Sequence, residues 1–582
     1  MGDLGNISWL DWEDDPLASA SKQDRLVLLL LVAPWCRFCH EFETGPLEDP
    51  RVRQLIVDDY VPVRVDADRR PDLDTRFNLG GWPTLAVVLP DGRILGGVQW
   101  READEIVTFL TRASDLWRNE RARVQTAEPP TLDTPERPHR LEGLSQALVD
   151  DVVASILDKF DHRFGGWGEG QKFSHPEAID FAMVQYSKTQ SAELRDVVER
   201  TLDNMAHGGI HDRVGGGFFR FSTTRDWRIP HTEKVLDSNA MTLRCFLEAW
   251  QLFGKDDYRE AAESTIRWLL DTMRDPETGC FFGSQGDDPE YYGLASDVRE
   301  RREPPRLDKT IYCNWNAMAI TSLLRASVIL DHADLRTAAL DALDFLLANL
   351  YSEREGMYHY WDGTYHLPGV LSDQAYMIQA LVIASQFSGD ADLLLPAEHL
   401  AGLLLETHRA PGGGFYDLPP RGVGAGGGAA LRRRNRSILE NAVLAEALTR
   451  LSYLSRREDY RDVARETLQS FVRDYRQYGY YVAGYARAVD LFLYEPIVVT
   501  IVGKRDDPLS VAFRNAAQRH YVPSRIVQML DPEKDPILLE RSGLPIAEAP
   551  RAYVSLGKTT RGGFSGPDDL ADRMIEIQAN RH

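Results

Sequence analysis

Two groups of residues have the types and spacing to do chemistry. The first is Cys36-Arg37-Phe38-Cys39, which follows directly on the apolar run Leu26 to Val32 and the turn Ala33-Pro34-Trp35. In a CxxC pair at a helix start, the first sulfur meets backbone N–H groups and the positive end of the dipole, which stabilise a thiolate. The second sulfur, one turn later, can resolve a mixed disulfide. A metal half-site and a redox-dead relic of the fold are the alternative readings. No second CxxC completes a four-sulfur zinc site, and His40 adds one ligand at most, so no metal is expected. The second group lies in His207 to Asn239, which combines Gly clusters, four aromatics (Phe218, Phe219, Phe221, Trp227), His211, His231 and several charges. Gly215-Gly216-Gly217 and Pro230 exclude a continuous helix. A long aromatic-rich loop with titratable groups is expected to line a pocket. His231 and Glu233, placed at the start of a helix and followed by Asp237, are the acid–base candidates.

The elements that position the cysteines follow from the pattern around them. Leu26 to Val32 is a strand buried on both faces. Tyr60 to Val65 alternates Val61, Val63 and Val65, and Leu85 to Leu89 and Ile94 to Val98 flank the turn Pro90-Asp91-Gly92-Arg93. Ala103 to Trp117 reads as a closing helix. A strand, a CxxC helix and a proline leading into a hairpin resemble the thioredoxin fold. The resemblance implies that Pro83 is a cis proline facing the cysteines and that Trp82 and Pro83 hold a substrate backbone. It also puts Leu30 where thioredoxins carry a buried acid.

Length and charge bound the rest. The chain has 582 residues and a formal net charge of −22, which argues against nucleic acid and anionic membrane as partners. Its longest apolar run, Leu26 to Ala33, is far short of the roughly 18 residues a membrane helix needs. The acidic N-terminus lacks the basic-then-apolar plan of a signal peptide. Five cysteines are too few for a disulfide scaffold, so a cytoplasmic location is expected.

Residues 1–125 form the α/β domain on this reading, and the proline-rich stretch 126–140 is a linker. Beyond it the period becomes helical. Leu144, Leu148, Val152, Ile156 and Phe160 mark one apolar face, and about twelve helices follow to residue 493. Six Gly-aromatic patches punctuate them, among them Gly165-Gly166-Trp167, Gly216-Gly217-Phe218 and Gly413-Gly414-Phe415. Six helical hairpins without polar end caps predict a closed (α/α)6 toroid over 141–495, with the Gly-aromatic loops rimming a funnel. Residues 496–582, opening on the apolar run Pro496 to Val502, predict a small α/β segment.

Matching stretches along most of the chain resemble the thioredoxin-domain proteins of the YyaL and spermatogenesis-associated type, the domain-of-unknown-function 255 family. They include Trp35-Cys36-Arg37-Phe38-Cys39-His40, Gly81-Trp82-Pro83, Lys172-Phe173-Ser174-His175-Pro176, Asp212, Pro230-His231-Thr232-Glu233-Lys234, Asn314-Trp315-Asn316 and Leu371-Ser372-Asp373. Arg37 departs from the family, which usually carries His there. The resemblance implies a multidomain chain whose helical part is similar to N-acylglucosamine 2-epimerases and six-hairpin glycosidases. Such sites need aromatic platforms and paired bases or carboxylates. The expected ligand-contacting residues are Lys172, His175, Asp212, Trp227, Trp315 and Asp373, with Trp361 and Tyr376 as further platforms, although aromatics at these positions also suit a core. The expected partners are a sugar-like small molecule and a thiol or disulfide protein client or reductase. No cofactor is expected. The alternatives are an oxidoreductase using the toroid as a client platform, and a non-enzymatic scaffold.

Overall fold

The computed structural model describes residues 7–126, 142–420, 433–557 and 559–580, so the linker expected over 126–140 lies, beyond its first residue, outside the described residues. The chain forms two compact units, Met1–Pro138 with Tyr416–Asn435, and His139–Phe415 with Arg436–His582.

The first unit is an α/β sandwich. Its sheet order is β2-β1-β3-β4, with β1 (Leu26–Val32), β2 (Tyr60–Asp66), β3 (Thr84–Val88) and β4 (Ile94–Val98). All seven residues of β1 are buried, as a central strand covered on both faces requires. Strands β1 and β2 are parallel, while β1–β3 and β3–β4 are antiparallel. Helices α1 (Pro16–Gln23), α2 (Arg37–Thr44), α3 (Pro50–Asp59), α4 (Pro71–Phe77) and α5 (Ala103–Asn119) complete it. The stretch Tyr416–Asn435, read from sequence as part of the helical region, belongs to this unit: Arg76 pairs with Asp417 at 3.1 Å and donates to the Arg433 carbonyl at 2.6 Å.

The second unit is built on twelve helices: α6 (Gln146–Lys159), α7 (Pro176–Thr189), α8 (Ala192–His207), α9 (Leu236–Phe253), α10 (Asp256–Trp268), α11 (Cys313–Ile329), α12 (Ala333–Asn349), α13 (Leu371–Ser388), α14 (Leu394–Thr407), α15 (Ile438–Ser455), α16 (Glu458–Gln469) and α17 (Ala483–Leu493). The odd-numbered helices pack in order, α7–α9–α11–α13–α15–α17, and α17 packs back on α7. This closes the ring. The even-numbered helices lie outside it, and α6 packs on α17. The connections from an inner to the next outer helix are a few residues long. Those from outer to inner are long and carry the Gly-aromatic patches, so all six patches lie at the N-terminal ends of the inner helices.

In four of the six patches the aromatic ring points into the core and does not rim a funnel, while Tyr358 and Tyr480 are half-buried. Trp167, Phe218, Phe281 and Phe415 are buried in the core. What recurs is an amide clamp. Asn239 on α9 accepts from the Phe218 N–H at 2.7 Å and donates to the Phe218 carbonyl at 2.9 Å. Asn316 clamps Phe281 in the same way, Asn441 clamps Phe415, and Gln374 clamps Met357. The glycines make room for it. Gly216 and Gly217 have φ of 81° and 76°, and a Cβ on Gly216 would lie 2.1 Å from the Ser264 carbonyl oxygen.

The C-terminal segment closes one end of the ring. Its sheet runs β6-β5-β7-β8, from β5 (Ile497–Val502), β6 (Arg525–Leu530), β7 (Arg551–Leu556) and β8 (Thr559–Phe564), with α18 (Pro508–Arg519), α19 (Pro536–Ser542) and α20 (Pro567–Ala579). Gln518 donates to the Gln386 carbonyl at 2.7 Å, Val527 N to Gln386 Oε1 at 3.0 Å, and Gln251 to the Arg519 carbonyl at 2.6 Å. These contacts fall at the C-terminal ends of α9 and α13. Among the described residues no helix is long and apolar enough to cross a membrane.

The clamp predicts a cost when it is lost. Asn239→Ala or Asn441→Ala strands a buried N–H and a buried C=O, at about 2–4 kcal/mol each. Chemical denaturation measures this; a loss under about 0.5 kcal/mol, the range of ordinary surface substitutions, counts against it.

Candidate functional site

In the first unit, β1 ends where the cysteines begin. Cys36 caps α2: its Sγ accepts from the Cys39 N–H at 3.1 Å. The two cysteines are paired as a disulfide, with Cα atoms 5.3 Å apart. The Trp82–Pro83 peptide is cis, and Cys36 Sγ lies 3.9 Å from the Trp82 carbonyl oxygen. Trp82 packs edge-on against Trp35, and its indole N–H donates to Asp74 at 2.9 Å. Burial pushes the Asp74 carboxyl up. Leu30 is fully buried, so no carboxylate occupies its place in the strand.

In the second unit, several expected ligand contacts prove to be structural. Trp227 is fully buried, with its indole N–H on the Phe164 carbonyl at 2.9 Å; it cannot offer a face to a ligand. Lys172 is fully buried between Asp161 and the Gly168 carbonyl. Asp212 is buried between Lys234 at 2.7 Å and Arg299 at 2.8 Å. Lys172–Asp161 and Lys234–Asp212 are the same pin in successive loops, which explains why Lys precedes each expected His or helix. Burial pushes Lys234 down to about 8, against the pull of Asp212. Asp373 is fully buried and holds His359 Nδ1 at 2.9 Å and the Asn314 N–H at 3.2 Å, fastening α11 to α13. Trp315 is half-buried, its ring 4.4 Å from Tyr312.

His231 and Glu233 stand together, His231 on a two-residue strand and Glu233 between that strand and the next, before α9 rather than at a helix start. His231 Nδ1 lies 2.5 Å from Glu233 Oε2, and its ring stacks on Phe221, which stacks on Phe173. Arg220 Nη1 is 3.5 Å from Glu233 Oε1. Burial disfavours the imidazolium, yet the hydrogen bond and charge of Glu233 outweigh it and raise the His231 pKa, with Asp287 adding to the effect. Ligand atoms of His231, Glu233 and Asp287 lie within 4.8 Å of one another, close enough to share a cation; the search for metal ligands around the cysteines missed this group. Arg220 supplies positive charge there already.

His175 caps α7 with φ +45°, amid Trp167, Tyr480 and Tyr481. Burial, with Lys172, pushes it down to about 4, so it is a neutral imidazole at physiological pH. Two residues on, Glu177 in the first turn of α7 was missed by the sequence reading. Asp237 holds the matching place in α9. Burial raises both carboxyls; Asp237 and Asp180 reinforce this at Glu177, while Arg244 opposes it there and Arg220 at Asp237. Tyr376 on α13 is pushed up by burial and by Glu177, Glu440 and Asp237. Helices α7 and α13 stand three places apart in a ring of six, so Glu177 and Tyr376 influence each other only across the axis. Glu177, Asp237 and Tyr376 thus lie within electrostatic reach of one another at the end of the ring where the inner helices begin, and all three keep some solvent exposure. The only signal for Glu177 in the sequence is an acid in a helix's first turn, which also serves as a dipole complement.

These features define the class: a thioredoxin-like domain joined to a six-hairpin helical ring with a polar axis. Residues 4–133 match the model of a family described as a protein of unknown function, DUF255. The chain is 26% identical over 348 residues to human spermatogenesis-associated protein 20, covering 56% of this chain and 43% of that protein. It therefore spans less than half of that relative. It is 32% identical over 95 residues to a maize protein disulfide-isomerase, covering 16% and 18% of the two chains. It is also 29% identical over 90 residues to cellobiose 2-epimerase of Bacteroides fragilis, covering 16% and 22%.

Two outcomes follow. Glu233→Gln should lower the His231 pKa, followed by NMR against pH. The raised value means the pair's stabilisation is complete below about pH 6.5 and is lost as pH rises through the folded-state pKa. An unmoved His231 titration breaks the assignment. After reduction, Cys36 should alkylate with a pKa below the free-thiol value of about 8.5, because α2 presents its N-terminus to that sulfur; a value at or above it rules out a helix-stabilised thiolate.

Proposed function

We propose that the helical ring binds a carbohydrate-like ligand at its open end and acts on it by proton transfer, and that the thioredoxin-like domain carries a working dithiol–disulfide pair. The observation that carries the first part is that Glu177, Asp237 and Tyr376 lie within electrostatic reach of one another. A carboxyl whose pKa is raised by burial holds its proton more firmly than an exposed one, which suits a general acid or base. Two such groups, with a buried phenol facing them, suit a polyhydroxylated ligand that must be oriented by hydrogen bonds and protonated at one oxygen or carbon while deprotonated at another. The half-buried Trp315 and the Phe173–Phe221–His231 stack offer flat apolar faces for a sugar ring. The stretch similar to a cellobiose 2-epimerase supports the same ligand class. In this reading His231 and Glu233 orient Arg220 and Asp237 from the rim.

The second part rests on Cys36 at the helix N-terminus and on the Trp82 carbonyl beside its sulfur, positioned to meet an extended backbone. The similarity to a protein disulfide-isomerase supports it. A thiol or disulfide protein is the matching partner, in a reducing cytoplasmic setting.

The two activities are separable by mutation. Incubation with a panel of aldoses and disaccharides, read by NMR for isomerised or hydrolysed products, should give turnover that Asp237→Asn and Glu177→Gln each reduce at least about 100-fold. Cys36→Ser should leave it unchanged. Turnover that depends on Cys36 and not on Asp237 would instead make the ring a platform for redox clients. No product or binding with any sugar in the wild type rejects the carbohydrate reading.

A further inference from the structure

The closed end of the ring holds a charge imbalance that acid–base chemistry at the open end does not use. Arg244, Arg325, Arg450 and Arg487 from the inner helices, with Arg525 from β6, gather there around Asp180, Glu248 and Glu446. The pairs are Arg244–Asp180 at 2.5 Å, Arg325–Glu248 at 3.2 Å, Arg450–Glu446 at 3.0 Å and Arg487–Asp180 at 3.1 Å. Longer contacts join Arg244 to Glu248 at 3.8 Å and Arg487 to Glu446 at 4.0 Å. Four guanidiniums therefore share three carboxylates, and Arg525 adds a fifth positive charge. Arg525 has no ion pair among the described residues; its Nη1 donates to the Ala517 carbonyl at 3.1 Å and the His520 carbonyl at 2.6 Å. Arg450 is tied to it by a bond to the Arg525 carbonyl at 3.0 Å.

These side chains enclose a cavity of about 30 Å³, lined by Glu248, Arg325, Arg450, Arg487, Tyr521 and Arg525 among others. About 10–15 Å³ holds a water, so the space takes a larger guest. Two donors of the same wall, Arg325 Nε and the Tyr521 hydroxyl, and one acceptor, Gln518 Oε1, are sealed from solvent without a hydrogen-bond partner among the described residues. Burial, reinforced by Arg325 and Arg450, pushes Arg525 down to about 9; Arg325 and Arg450 are also lowered, by burial first. Buried cations short of counter-charge are costly, and a negative guest relieves that cost. Guanidinium forks suit a halide or an oxyanion equally as donors, and an oxyanion more closely in shape.

We propose that this cavity binds one small inorganic anion, a halide or oxyanion, between Arg325, Arg450 and Arg525. The anion would fasten the C-terminal segment to the closed end of the ring, since Tyr521 and Arg525 come from that segment and Arg325 and Arg450 from the ring.

The test uses the full chain dialysed into gluconate buffer, too bulky an anion for the cavity, with chloride or phosphate titrated at fixed ionic strength. A saturable calorimetric signal and a melting-temperature rise of about 2 °C or more are expected. Arg525→Met should weaken anion binding at least about 10-fold. It should also raise the melting temperature in gluconate, because it removes surplus charge. Should that variant fail to fold, Tyr521→Phe, which deletes only the hydroxyl, serves in its place and should weaken binding too. Crystals grown in bromide should show an anomalous peak inside the cavity. Equal melting in all anions with no bromide peak overturns the proposal, as does anion dependence that both variants leave intact.

Discussion

The ring depends on one repeated bond pair: a side-chain amide from the first turns of an inner helix, gripping the N–H and C=O of a loop residue. Asn239, Asn316, Gln374 and Asn441 each do this. Each also returns its N–H to a carbonyl at its own helix start, Val235, Tyr312, Val370 and Ser437. A buried amide satisfied on both sides is worth keeping only if its partner stays put. The clamp therefore sets the distance between loop and helix, and with it the place where α9, α11, α13 and α15 begin. Helix starts that recur in register leave their first-turn side chains pointing to a common axis.

That axis has two ends with different electrostatics. At the open end, Glu177, Asp237 and Tyr376 lack enough positive partners, and burial favours their neutral forms. Deeper in, Asp180 is held ionised despite burial by Arg244, Arg487 and Arg325. At the closed end the guanidiniums outnumber the carboxylates. Arg244 belongs to both regions, because it pairs with Asp180 and is felt by Glu177. These ion pairs are buried, where screening by solvent is weak. The histidines divide in the same way. His175, among aromatics and near Lys172, is neutral, whereas His231 beside Glu233 keeps its proton more strongly.

The thioredoxin-like unit is simpler. Its apolar strand β1 is fixed by burial on both faces, and the chain leaves that strand directly into the cysteine turn. The helix start that follows is what makes the Cys36 sulfur an acceptor for a backbone N–H. Leu30 leaves the strand beneath without a carboxyl, and the raised Asp74 sits instead behind Trp82.

The sequence alone determined the elements. An apolar run of seven residues, a 3.6-residue period repeated twelve times and glycines before aromatics are local patterns, and local patterns decide strand, helix and turn. They also determined closure of the ring, since six hairpins without polar ends must bury both end faces against each other. His231, Glu233 and Asp237 stood out in the sequence because a loop dense in charge and aromatics is locally improbable. Only the tertiary structure decided which charges are free to act. Lys172, Asp212 and Asp373 have the right types for a site, but each finds a buried counter-charge or donor contributed from another element. Glu177 looked like an ordinary first-turn acid until the ring brought Asp237 and Tyr376 within its field. The arginines of the closed end are scattered from position 244 to 525, and their surplus exists only because folding gathers them. A side chain's charge belongs to the sequence; its balance belongs to its neighbours, and for these residues the neighbours are distant in the chain.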